Sequence, residues 1–235
     1  MIKIFADGAD YNDIMRLYQD KRISGFTTNP ALLKKAGVKN YEAFIREVSE
    51  SIKDKPLSFE VIADDEKEMI RQAEKIQAYG DNIYVKIPIT YTGGEYTSRV
   101  IGILSSNKIQ LNVTAITTRL QVEYCTNSFC FGLSKSIISV FAGRISDTGK
   151  NAKKVIKSIK EMVEDTTYSN NTELLWASTR EIHNIKDAEE CGCDIITIGP
   201  DILKKLDLIG KNLNDMSLDA VRGFYKDALD SGYTL

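Results

Sequence analysis

The chain has 235 residues, 43% hydrophobic and 27% charged, with a formal net charge of -2. That length suits one α/β barrel with a sizeable core, and the balance is that of an ordinary soluble globular protein. Lys and Arg are scattered among Asp and Glu without a basic face, so neither nucleic acid nor an anionic membrane is expected as the main partner. The N-terminal MIKIFADGAD lacks the apolar core of a signal peptide and no window approaches a membrane-spanning run, so a cytoplasmic location is expected.

An apolar run over residues 2–6 predicts the first strand. GADYNDIMRLYQD then reads as a Gly-rich turn, an Asp near a helix N-terminus and apolar residues at helical spacing, a helix over 10–19. The same alternation continues: strand 23–27, helix 41–52, strand 57–62, helix 66–79, strand 83–87, helix 96–106. It runs on through strand 109–114, helix 117–125, strand 136–141, helix 151–163, strand 174–177, helix 179–191, strand 195–198 and helix 200–205. Eight β-then-α units favour a parallel sheet with crossover helices, and eight is the number that closes a barrel. The pattern alone also admits an open doubly wound sheet. No linker, low-complexity segment or repeat interrupts it, so one domain over 1–235 is expected. An additional amphipathic helix over 218–230, within a terminal segment of about 217–235, follows the eighth unit. It serves either as a lid on the barrel's own surface or as a strap onto a second subunit.

Cys125, Cys130, Cys191 and Cys193 show no second ligand pair at zinc-site spacing, which favours free thiols in a reducing compartment. The only histidine, His183, lies in the polar run TREIHNIKDAEE, where a surface role is expected. Proton transfer is therefore left to carboxylates, lysine, hydroxyls or water.

In a parallel barrel the site is built at the C-terminal strand ends. Asp7, Thr28, Asn29, Glu60, Lys86, Asn112, Thr114, Ser139, Arg144 and Arg180 all fall there. Lys86 is the most informative, because Ile83-Tyr84-Val85-Lys86-Ile87-Pro88-Ile89 is an apolar strand in which an unpaired ammonium is costly. Such a lysine must snorkel, pair with a carboxylate such as Glu60 or Asp7, or lose its proton and become a nucleophile for a ketone. Two carboxylates in different environments could divide the proton transfers that imine chemistry needs, although each alone could equally be a cap or an ion-pair partner. Arg144 and Arg180 after the sixth and seventh strands suit bidentate phosphate recognition, against a plain alternative of surface ion pairs.

These stretches together resemble the transaldolase family, including its short forms and the related fructose-6-phosphate aldolases. The resemblance runs in order through Phe5-Ala6-Asp7, Thr27-Thr28-Asn29-Pro30, Phe59-Glu60-Val61, Val85-Lys86-Ile87 and Asn112-Val113-Thr114. It continues through Ser139-Val140-Phe141-Ala142-Gly143-Arg144-Ile145, Ala177-Ser178-Thr179-Arg180 and Gly192-Cys193-Asp194-Ile195-Ile196-Thr197-Ile198. It implies a (β/α)8 barrel and a class I mechanism with no metal and no cofactor, acting on sugar phosphates of the kind used by the pentose phosphate pathway, in a homo-oligomer. By the same resemblance Lys86 forms the Schiff base and Asp7 is the general acid/base in C–C cleavage. Glu60 with Thr114 holds a proton-relaying water. Asn29 and Asn112 bind sugar hydroxyls, Ser139, Arg144 and Arg180 bind phosphate, and Ser178 and Thr28 support them. Glu60 and Phe141 stand where the aldolases have Gln and Tyr, which implies transfer of a dihydroxyacetone unit. An aldolase releasing dihydroxyacetone, and a non-catalytic sugar-phosphate-binding barrel, are the alternatives. Two departures are visible: residues 90–96 form a longer loop rich in Gly and Tyr, expected to overhang the pocket, and Val140 replaces the usual proline.

Overall fold

The computed structural model describes residues 2–129, 134–164 and 171–234, so Cys130 lies outside the described residues. The chain forms two compact units, Met1–Leu203 and Lys204–Leu235. In chain order the first contains β1 (Lys3–Asp7), α1 (Tyr11–Tyr18), β2 (Ile23–Thr27), α2 (Pro30–Lys35), α3 (Tyr41–Ser51) and β3 (Leu57–Glu60). Then come α4 (Glu66–Gln77), β4 (Ile83–Pro88), α5 (Ser98–Ser106), β5 (Leu111–Ile116), α6 (Arg119–Ser128), β6 (Ser136–Val140) and α7 (Ala142–Asp147). It closes with α8 (Ala152–Glu164), β7 (Thr172–Trp176), α9 (Asn184–Glu190), β8 (Ile195–Ile198) and α10 (Pro200–Leu203). The strands close a parallel barrel in sequence order, sealed where β1 pairs with β8 through Lys3↔Ile195 to Ala6↔Ile198. The eight expected strands are all present, and the open sheet is excluded.

The pleat decides what faces inward. Side chains two residues apart share a strand face. Phe5, Tyr84, Ile137, Leu175 and Ile195 form one buried cluster with Ala177. Two residues further along β1, β4, β6 and β8 stand Asp7, Lys86, Ser139 and Thr197, all facing one cavity. An apolar layer thus floors a polar one, and the strand period alone makes the change. Gly25 admits the Phe5 ring, because a Cβ there would meet that ring at 2.7 Å. Outside the barrel, α8 turns Ala152, Ile156, Ile159 and Val163 inward, the apolar stripe of an amphipathic helix.

The boundaries differ from the sequence reading for local reasons. The third strand ends at Glu60 rather than residue 62, where Tyr41 takes over the peptide's hydrogen bonds. The fifth extends to Ile116 through Ala115, which has φ 64° and interrupts the register with β6. The short helices α2 and α7 were not expected at all. The helix expected from residue 179 begins at Asn184, because Ser178 adopts φ 62° and the Asn184 side chain accepts from the backbone of Arg180 and Glu181. Residues 90–96 fold back on themselves through a Thr90–Tyr96 bridge, which delays α5 to Ser98.

The second unit contains a 3-10 turn (Leu206–Leu208) and α11 (Leu213–Asp230). The helix begins five residues before its expected start because Asn212 caps it by accepting from Asn214 N–H. Leu213, Val221, Phe224 and Leu229 on α11 are exposed. Among the described residues no helix is long and apolar enough to cross a membrane.

Candidate active site

At the C-terminal ends of the strands lies a cavity of about 280 Å³. Lys86, 7% exposed, reaches into it from β4. Its Nζ donates to the Thr28 carbonyl at 2.8 Å and lies 3.2 Å from Glu60 Oε2. The ammonium is therefore paired with a carboxylate, as one sequence reading allowed. Register explains the pair: Glu60 and Lys86 are partners across β3 and β4, so their side chains leave the same face side by side.

Glu60 is itself held. The Tyr41 hydroxyl donates to the Glu60 carbonyl and accepts from the Glu60 N–H, both at 2.9 Å. One phenol from the first residue of α3 thus satisfies both backbone groups at the frayed end of β3. Sequence reading missed this, because Tyr41 looked like an ordinary helix residue.

Asp7 ends β1. Its carboxylate accepts from the Thr27 hydroxyl at 2.8 Å, and Thr27 shares a second hydrogen bond with Thr197 on β8. Asn29 caps α2, its Oδ1 accepting from Leu32 N–H at 3.0 Å while its Nδ2 turns to Asp7 Oδ2 at 3.5 Å. The Asn-Pro pair is therefore a capped helix start with Pro at the first helical position, and the cap aims the amide at the carboxylate. Burial raises the Asp7 carboxyl above its ordinary 3.8, opposed by the Lys86 charge and the Thr27 hydrogen bond, with Glu60 adding to the rise.

The sign of that shift makes a prediction. Folded Asp7 keeps its proton to higher pH than the unfolded chain does, so native stability falls as pH climbs from about 3.8 towards the folded value and then levels. Asp7→Asn has no proton to lose there. Its melting temperature minus that of the parent should grow with pH across that window. A difference that shrinks with rising pH would mean the Lys86 charge, not burial, governs Asp7.

On β5 and β6, Ser139 Oγ donates to Asn112 Oδ1 at 2.6 Å, and Asn112 Nδ2 donates to Ser58 Oγ at 3.1 Å. This chain fixes the fully buried Asn112 amide and commits the Ser139 hydroxyl to positioning it. The Thr114 hydroxyl is buried, faces the cavity and makes no hydrogen bond among the described residues, so it can serve a water or a substrate oxygen. Phe141 packs on the apolar floor, and the Arg144 guanidinium lies 5.5 Å from its ring centroid. Ser178 joins the rim in its left-handed conformation.

Two expected residues sit elsewhere. Thr28 is buried and contributes its carbonyl, not its side chain, to Lys86. Arg180 does not line the cavity; it forms a bidentate pair with Asp147, the plain surface pairing that sequence left open. Residues 90–96 do not line the cavity either. Thr92 is tied to Asp64 after β3 through its backbone and hydroxyl, and Tyr96 stacks on Tyr124 at 4.0 Å. Thr27 and Thr197, both on the wall, were not anticipated; the period-two step from Ile195 would have found Thr197.

A (β/α)8 barrel whose cavity gathers a buried amine and two carboxylates, ringed by amide and hydroxyl groups, defines an enzyme-type site. The family model for "Transaldolase/Fructose-6-phosphate aldolase" matches residues 4–232. A probable transaldolase of Chelativorans sp. (strain BNC1) is 35% identical over 93% of this chain and 94% of that protein. One from Erythrobacter litoralis is 29% identical over the full length of both. The chain belongs to the transaldolase/fructose-6-phosphate aldolase family and is an enzyme of that type. Among solved structures, orotidine 5'-monophosphate decarboxylase from Metallosphaera sedula aligns with a TM-score of 0.57 at 12% identity, over 92% of this chain and 99% of that one. That likeness is one of fold.

Proposed function

We propose that the protein transfers a dihydroxyacetone unit from a ketose phosphate to an aldose phosphate through a Schiff base on Lys86. The observation that carries this reading is the buried Lys86 amine, 3.2 Å from Glu60, in the cavity that Asp7 also faces. Glu60 takes the ammonium proton, and the free amine attacks the donor carbonyl. Loss of water from the carbinolamine, with Glu60 and Thr114 holding that water, gives the iminium. Asp7 then removes the proton of the hydroxyl carried by the far carbon of the scissile bond. That carbon becomes the aldehyde as the C–C bond breaks, and the electron pair of the bond flows into the iminium to give an enamine and an aldose phosphate. An acceptor aldehyde takes the enamine carbon, Asp7 returns the proton to the new alkoxide, and water releases the product ketose. The Asn112 amide sits where it can bond a donor hydroxyl, and Arg144 offers its guanidinium to the phosphate. A homo-oligomer belongs to this reading, with a second copy of the chain as the partner for the exposed apolar residues of α11.

Transfer rather than release rests on Phe141. An aldolase must protonate the enamine and admit water, and a phenol hydroxyl at this wall could place both; a phenyl ring offers neither donor nor acceptor. Turnover of fructose 6-phosphate should therefore be much faster with erythrose 4-phosphate than without it. Phe141→Tyr should raise acceptor-independent release of dihydroxyacetone by on the order of tenfold, about 1.4 kcal/mol of barrier, and lower transfer. Equal release by the parent protein with and without acceptor would replace this reading with the aldolase one.

A further inference from the structure

Beside the active-site cavity lies a larger cleft, about 640 Å³, between the start of α6 and the facing side of α7 and α8. Four cationic side chains line it: Arg119 from α6, Arg144 from α7, Lys150 from the turn after α7, and Lys154 from α8. No acidic residue lines it, in a chain whose 33 acids outnumber its 31 Lys and Arg. Chance placement on such a surface would bring counter-charges; here none of the four closes an ion pair among the described residues. Asp147 feels the Arg144 charge, but its carboxylate is already held by Arg180.

The polar groups of the cleft are also of one kind. Thr118 and Ser158 add hydroxyls to its wall, while the Thr148 hydroxyl is spent donating to the Ile145 carbonyl at 2.7 Å, and Arg119 Nη1 reaches across to Ser158 Oγ at 3.4 Å, bridging α6 to α8. Thr118 and Arg119 stand at the first turn of α6, where the helix presents the positive end of its dipole. Like charges gathered without partners repel one another and favour an anion that arrives between them. Guanidinium forks pair bidentately with oxyanions, and a phosphoryl dianion answers four gathered cations with more charge than a carboxylate or halide does.

We propose that this cleft is a second phosphate-binding site, separate from the Lys86 cavity and joined to it by Arg144, which lines both. Its ligand is a phosphoryl dianion. That dianion is either the terminal phosphate of a sugar long enough to pass Arg144 or an independent phosphate-type anion bound beside the substrate. Anion binding here does not depend on the transfer chemistry, so it can fail or stand without it.

The test titrates inorganic pyrophosphate into the full chain by calorimetry at low, fixed ionic strength, where exposed charges are least screened. The parent protein and Lys86→Met should show the same saturable binding. Arg119→Ala/Lys154→Ala should bind at least about tenfold more weakly, a change of roughly 1.4 kcal/mol, with an unchanged melting temperature. Lys150→Glu, a reversal at an exposed position, should weaken binding similarly. Repeating the parent titration with saturating fructose 6-phosphate separates the two sources. Mutual exclusion assigns the cleft to the sugar's own phosphate, and an unchanged affinity assigns it to an independent anion. Absence of saturable binding to the parent, or affinity within twofold of the parent in both cleft variants, overturns the proposal.

Discussion

Lys86→Arg should leave the barrel folded and lower turnover by about 10⁴-fold or more, roughly 5.5 kcal/mol of barrier. A guanidinium keeps its proton under all working conditions and cannot add to a carbonyl. It can still donate towards Glu60 and the Thr28 carbonyl, the two partners that hold Lys86 in place. Lys86→Met removes the charge as well, and its consequence reaches further. The Lys86 charge is the largest influence opposing the rise that burial imposes on Asp7, so without it the carboxyl should retain its proton to still higher pH. Borohydride added with fructose 6-phosphate should place a donor-derived mass on the peptide containing Lys86 in the parent and on no peptide in either variant. Donor binding without any trapped adduct in the parent would remove the covalent step.

Much of this site was legible because chemistry and strand period coincide. Lys86 stands out as a lysine amid Ile, Val and Tyr, and a parallel barrel puts strand ends and polar residues at one mouth. Asp7, Asn29, Glu60, Asn112, Thr114, Ser139, Phe141, Arg144 and Ser178 all reach the cavity that holds Lys86. What the sequence hid depends on contacts between distant segments. Tyr41 lies in an amphipathic helix and meets Glu60 only because α3 packs beside the end of β3. Arg180 is one residue type with two plausible fates, and its pairing with Asp147, 33 positions away, is not visible in the sequence. Helices α2 and α7 escaped notice because six residues hold too little periodicity to register. The four cations of the cleft are spread over residues 119–154 and form a group only when α6, α7 and α8 come together.

Gly143→Ala should be damaging out of proportion to a single methyl group. A Cβ at this position would lie 1.7 Å from the Ser178 carbonyl oxygen and 2.9 Å from its carbon. Those are backbone atoms, and Ser178 is already in the left-handed region at φ 62°, so neither side can yield cheaply. Overpacking of this kind costs about 1–3 kcal/mol even where neighbours relax, which for a chain of this size lowers the melting temperature by about 2–12 °C. The functional loss should be larger. Arg144 follows directly in the chain, Ser178 is the group pushed, and both line the Lys86 cavity. A displacement near 1 Å at such positions removes on the order of 10²-fold in kcat/KM. Gly102→Ala is the matched control: it sits inside α5 and, among the described residues, a Cβ there would come no nearer than 3.4 Å, to the Ser128 carbonyl oxygen. There the same methyl should be neutral or stabilising by about 0.5–1 kcal/mol through helix propensity and a stiffer unfolded chain. The close approach of α7 to the turn after β7 is then what holds Arg144 and Ser178 at one wall. If Gly143→Ala matches Gly102→Ala in both melting temperature and kcat/KM, that wall is soft and the approach has no functional weight.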